Sequence, residues 1–157
     1  MKRKTLTIEW EEYSSWSELG SDDRTLLESA VKAIEGSYAP YSHFNVGAAV
    51  LLEDGTTVPG ANQENAAYPS GLCAERTAMF AASAQNPGIP MAAIAVVCSQ
   101  DGELPGEPGY PCGACIQVMA QYERVARRPL RIILGGKDTV MAFTGVRSLM
   151  PFVFNNI

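Results

Sequence analysis

Met91–Ser99, MAAIAVVCS, runs without a charge, a glycine or a proline. A short apolar run of this kind suits a strand covered on both faces, because a half-exposed strand would alternate apolar with polar residues. Upstream, Cys73–Gln85 (CAERTAMFAASAQ) is made of strong helix formers and stops at Asn86-Pro87-Gly88. Downstream, a Gly/Pro-rich loop over Ser99–Pro111 leads into Cys112–Ala126 (CGACIQVMAQYERVA), an amphipathic helix pattern. Leu130–Gly136 and Thr139–Gly145 then read as strands, and Val146–Phe154 as a short helix or turn.

Toward the N-terminus, Asn45–Asp54 (NVGAAVLLED) is a strand of small and β-branched residues. Asp54-Gly55 signals a tight hairpin, with Thr56–Asn62 returning. Ser21 followed by DDRTLLESAVKAIEGSY predicts a capped amphipathic helix with Gly36 at its end. Residues 1–18 form an extension whose alternating KTLTIEW predicts an edge strand or an arm, and residues 19–157 form one domain. Strands alternating with helices predict an α/β fold: a three-layer α/β/α sandwich around a mixed, mostly buried five-stranded sheet. The helices opening at Cys73 and Cys112 would share one face.

A chain of 157 residues, 46% hydrophobic, can bury a core of its own. Its N-terminus is basic but lacks the apolar segment of a secretory signal, and no window has the length of a bilayer-spanning helix. A cytosolic protein with no membrane partner is expected. The formal net charge of −5 argues against nucleic acid as a partner, since phosphate neutralisation requires a basic surface. The one basic cluster, Arg124, Arg127, Arg128 and Arg131, reads as a solvated helix end.

Four cysteines, Cys73, Cys98, Cys112 and Cys115, are accompanied by one histidine, His43. In such a chain cysteines serve as metal ligands, redox groups or buried thiols more readily than as a disulfide framework. Cys112-Gly-Ala-Cys115 sets two sulfurs one helical turn apart, and Cys73 opens the other helix. Helix N-termini favour thiolates, and three thiolates leave a fourth tetrahedral position open, the pattern of a catalytic zinc site. Arg76 can donate to the sulfurs and offset their charge. Glu75, two residues after Cys73, is the best placed acid/base. A CxxC pair alone equally fits a structural zinc half-site or a redox pair. Cys98 reads as a buried thiol, or as the fourth ligand of a structural site. Taken together, CAER and PCGAC with an intervening strand match the general zinc-deaminase arrangement, three cysteine ligands with a glutamate that is not a ligand.

Tyr38–Gly47 (YAPYSHFNVG), Gly60–Ala78 (GANQENAAYPSGLCAERTA) and Pro111–Met119 (PCGACIQVM) closely resemble the homotetrameric cytidine deaminases, and the resemblance extends from Leu19 to Phe154. It implies zinc held by Cys73, Cys112 and Cys115, with Glu75 carrying protons in the hydrolysis of cytidine and 2'-deoxycytidine to uridine and 2'-deoxyuridine. Cysteine rather than histidine at position 73 marks the free-nucleoside branch. By resemblance, Asn62 and Glu64 bind the ribose hydroxyls, Phe44 packs at the pyrimidine, and the Ala74 backbone donates to the base carbonyl. Phe154 resembles the C-terminal aromatic that a neighbouring subunit of a homotetramer lends to the base. Without that frame, each of these residues taken singly reads as a turn or packing residue. Gln63 stands where an aliphatic residue is usual and Ile116 where many members carry arginine, which would leave more charge compensation to Arg76. A blasticidin-type aminonucleoside deaminase shares the zinc motifs, and a non-catalytic zinc module is the reading from another class.

Overall fold

The computed structural model describes residues 1–154. Its sheet has six strands: β1 (Glu11–Tyr13), β2 (Phe44–Leu52), β3 (Thr57–Ala61), β4 (Met91–Gln100), β5 (Arg131–Gly135) and β6 (Val140–Thr144), in the spatial order β1-β6-β5-β4-β2-β3. Three helices, α1 (Ser21–Ala33), α2 (Ala74–Gln85) and α3 (Gly113–Ala126), cover it. β4 and β5 are the one parallel pair; the other neighbours are antiparallel. A parallel pair needs a crossover, and α3 supplies it.

β4 lies between β2 and β5, and its continuous apolar character is explained by burial on both faces. Ile94 and Val96 join Ala78, Met79, Met119 and Ala120 of α2 and α3, while Ala93, Ala95 and Val97 join Leu26, Leu27 and Ala30 of α1. The expected three-layer α/β/α sandwich is thus present, with α2 and α3 together on one face. Glycines permit close approach where helices cross: a Cβ on Gly47 would strike the Ala30 carbonyl of α1, and one on Gly60 the Ala78 backbone of α2. The β2–β3 hairpin turns at Asp54-Gly55 as expected. Gly55 adopts φ 88°, and the Asp54 carboxylate accepts the Thr56 N–H at 2.9 Å.

Some local expectations require correction. The sheet has six strands rather than five, because the N-terminal extension adds β1 along β6. That strand begins just after KTLTIEW, whose residues take no regular structure. Ser21 is the first helical residue of α1 and not its cap; Gly20 occupies the N-cap without a side-chain bond. The helix ends at Ala33, and Gly36 closes a 3-10 turn over Ile34–Gly36. Arg131 is not at a helix end either. It sits in β5 and grips Asp23 with Nε and Nη2 at 2.9 and 2.7 Å while reaching Glu11 at 2.8 Å. This network ties β1, α1 and β5 together.

Candidate active site and metal centre

The loop after β3 is folded back on itself. Gln63 and Leu72 exchange backbone hydrogen bonds of 2.8 and 2.9 Å, so the chain returns beside β3 before it enters α2. Cys73 stands at the N-cap of α2 in extended conformation, and Cys112 at the N-cap of α3 in the same conformation. Both helices lie on one face of the sheet and start side by side. Cys73 Sγ is 4.0 Å from Cys112 Sγ, which is 3.6 Å from Cys115 Sγ. All three sulfurs lie within 4.8 Å of one another.

Tetrahedral zinc with Zn–S bonds near 2.3 Å separates its sulfurs by about 3.8 Å, so this donor set fits the ion. Helix N-termini present unpaired N–H groups that favour the thiolate form. Arg76 Nη2 donates to Cys73 Sγ at 3.3 Å, while its buried Nε has no partner among the described residues. The Cys115 thiol, hydrogen-bonding to Cys73 with Arg76 beside it, holds Cys73 down to about 5. Cys115 is pushed above the usual thiol value by that same bond and by burial.

Cys98 stands apart. It is buried near the end of β4 against the backbone of Gly109, and among the described residues only Cys73, Cys112 and Cys115 form a group able to hold a metal. A four-cysteine structural site is therefore not assembled. Ile116 packs into the core beneath α2 and α3, so the position where arginine is usual offers no charge to the sulfurs.

Glu75 is 5% exposed, a buried carboxyl one residue inside α2. The Cys73 and Cys115 sulfurs act electrostatically on its carboxyl, which places it beside the sulfur cluster. Burial, reinforced by the nearby Cys73 charge, raises it above the usual carboxyl range.

These features, three cysteine sulfurs at two helix starts with a buried carboxyl beside them, have counterparts in known proteins. Residues 20–129 match the family model described as the cytidine and deoxycytidylate deaminase zinc-binding region. The chain belongs to this deaminase family. A cytidine deaminase of Halalkalibacterium halodurans is 41% identical over 133 residues, covering 85% of this chain and 94% of that protein. One from Sporosarcina psychrophila is 46% identical over 135 residues, covering 85% and 92%. The crystal structure of cytidine deaminase from Burkholderia pseudomallei superimposes with a TM-score of 0.68 at 42% identity, covering 83% of this chain and 97% of that one. The deaminase resemblance seen in CAER and PCGAC is thereby established, and the zinc-binding region of the family model spans all three cysteines.

Asn62 and Glu64 follow β3 closely and are held by the facing loop. Asn62 Nδ2 donates to the Phe44 carbonyl at 2.9 Å, and its Oδ1 accepts from the Val46 N–H at 2.8 Å and from the Ser37 hydroxyl. The Glu64 carboxylate accepts from the Tyr41 N–H at 2.9 Å and from the Ser42 hydroxyl, which hold its carboxyl below the ordinary range. Phe44 opens β2 with 39% of its surface exposed. Ala74 is fully buried as the first residue of α2, where its N–H belongs to the unpaired set. Phe154 is 66% exposed and takes no part in the core, although its neighbour Val153 packs against it. Ser37 and Ser42, which hold Asn62 and Glu64, carry no sequence signal beyond hydroxyls in a turn-rich loop.

Proposed function

We propose that this chain is a zinc-dependent hydrolase converting free cytidine and 2'-deoxycytidine to the corresponding uridines with release of ammonia, in salvage of pyrimidine nucleosides. The observation that carries the reading is the buried carboxyl of Glu75 against a cluster of three sulfurs. A structural metal site has no use for such a group.

Cys73, Cys112 and Cys115 would hold zinc, which supplies Lewis acidity to activate water and polarise the reacting centre. Glu75 takes a proton from the attacking water and delivers it to the pyrimidine N3, leaving C4 electrophilic. Water oxygen then adds to C4. A further proton routed through Glu75 converts the amino substituent to ammonia; the C4–N bond breaks and the C4 carbonyl forms. Positioned proton transfers of this kind contribute about 10²–10⁴-fold each. The Ala74 N–H orients the base through its carbonyl oxygen. Asn62 and Glu64, fixed by Ser37, Tyr41 and Ser42, receive the ribose hydroxyls, and Phe44 packs on the pyrimidine. Phe154, exposed within one chain, would complete the site of a neighbouring subunit in a homotetramer. The net charge of −5 supports a free nucleoside rather than a polynucleotide as substrate.

The test is turnover of cytidine, 2'-deoxycytidine and blasticidin S side by side, followed by ammonia release with and without a chelator. Chelator-sensitive deamination of both cytidines is expected. Turnover of blasticidin S alone would transfer the assignment to the aminonucleoside enzymes.

A further inference from the structure

Gln117 lies in α3 two residues beyond Cys115, and its side-chain amide is engaged at both ends by a single residue of the C-terminal tail. Its Nε2 donates to the Phe154 carbonyl at 2.6 Å, and its Oε1 accepts the Phe154 N–H at 3.1 Å. This is the pairing one strand offers another, made here by a side chain. The tail it holds alternates: Phe152 is 94% exposed, Val153 packs against the core, and Phe154 is 66% exposed. An exposed aromatic at a chain end would ordinarily sample many directions. Fixing the N–H and C=O of its own residue fixes the backbone from which the ring departs.

We infer that Gln117 is a positioning residue that fastens the tail to the metal-bearing helix so that Phe154 is presented, in a fixed direction, to the nucleoside site of a second copy of this chain. The inference rests on the reading of Phe154 as a base-stacking residue given under Proposed function. Because Gln117 and Cys115 share the first turns of α3, the clamp references the partner's aromatic to the metal centre of its own subunit. Its effect should fall on binding and not on the proton transfers assigned to Glu75.

The experiment is steady-state kinetics on zinc-loaded Gln117→Met and Gln117→Glu, each alone and combined with Phe154→Ala, with zinc content and oligomeric state measured in parallel. Methionine keeps the side-chain length without either hydrogen bond, and glutamate keeps the acceptor alone. Gln117→Met should raise KM by about 3- to 10-fold with kcat little changed, and Gln117→Glu, whose carboxylate would face the Phe154 carbonyl, should raise it at least as much. Both should retain zinc, and neither should add to the KM of Phe154→Ala. An unchanged KM in Gln117→Met, a KM effect that persists in full in the Phe154→Ala background, or loss of zinc with the substitution would each overturn the clamp. If Phe154→Ala itself leaves KM unaltered, the stacking reading fails and the clamp falls with it.

Discussion

Cys73 Sγ and Cys112 Sγ stand 4.0 Å apart although they are 39 positions apart in the chain, each at the N-cap of its own helix. The sheet brings this about. β4 lies between the two cysteines in sequence, and α2 and α3 pack on the same face of the sheet, so the two helix starts meet. Three sulfurs this close form a donor set for a cation, and the partly buried Arg76 guanidinium beside them donates to Cys73.

The charge state of the cluster predicts proton release on metal uptake. Cys73, held at about 5, is a thiolate at neutral pH, whereas Cys115, pushed up, keeps its proton. Zinc binds thiolates, so adding it to metal-free protein at neutral pH should release about one proton or more per ion. A pH indicator in weak buffer reads this directly, and uptake without release would contradict the assignment of Cys115 as a ligand.

Removing one ligand should separate metal binding from folding. Cys112→Ala and Cys115→Ala should each lose stoichiometric zinc together with activity, whereas Cys98→Ala should keep both. Elemental analysis and cytidine turnover check the contrast. Loss of zinc in Cys98→Ala would mean that the fourth cysteine reaches the metal after all.

Gly60 sets how closely β3 approaches α2. A Cβ there would collide with the backbone of Ala78 and crowd the Ala74 carbonyl, displacing the helix that carries Cys73 and Glu75. Gly60→Ala should cost about 1–3 kcal/mol, as overpacking does. A chain of this size loses about 2–4 °C of Tm per kcal/mol. Thermal unfolding measures it, and zinc affinity should fall in parallel.

The Arg131 network predicts an acid-sensitive anchor for β1. Hydrogen bonds from Arg131 and Tyr13 hold Glu11 below the usual carboxyl range. Its contribution to stability is therefore complete above the ordinary glutamate value near 4.5 and is lost as pH falls through the lower folded value. Arg131→Leu should weaken this dependence, leaving only the Tyr13 contribution, and cost about 1–2 kcal/mol, chiefly through the grip on Asp23. Urea midpoints between pH 3 and 7 compare the two proteins, on a scale set by the ordinary carboxyl range near 4.

Where local chemistry decides structure, the sequence is legible. MAAIAVVCS declares its two-sided burial, Asp54-Gly55 its turn, and Cys73 and Cys112 their helix starts, because each depends on residues within a few positions. The expectations that needed correction depend on distant partners. Glu11–Tyr13 becomes a strand because β6 has a free edge and Arg131 holds Glu11, neither of which is visible in alternation around KTLTIEW. Arg131 looked like part of a basic run because its partner Asp23 lies 108 residues away. The grip of Gln117 on Phe154 had no signal at all, since an amide in an amphipathic helix is common and its target is a backbone. For the candidate site the motif residues were legible together, whereas Ser37 and Ser42, which orient Asn62 and Glu64, emerged only from the folded chain.

The proposed reaction requires Glu75 to move protons beside a metal that it does not bind. Cytidine turnover by zinc-loaded Glu75→Gln, compared with the parent protein at equal zinc content, tests this most directly. Activity lower by at least about 10²–10⁴-fold with zinc and fold intact is the predicted result. Turnover close to that of the parent would contradict it.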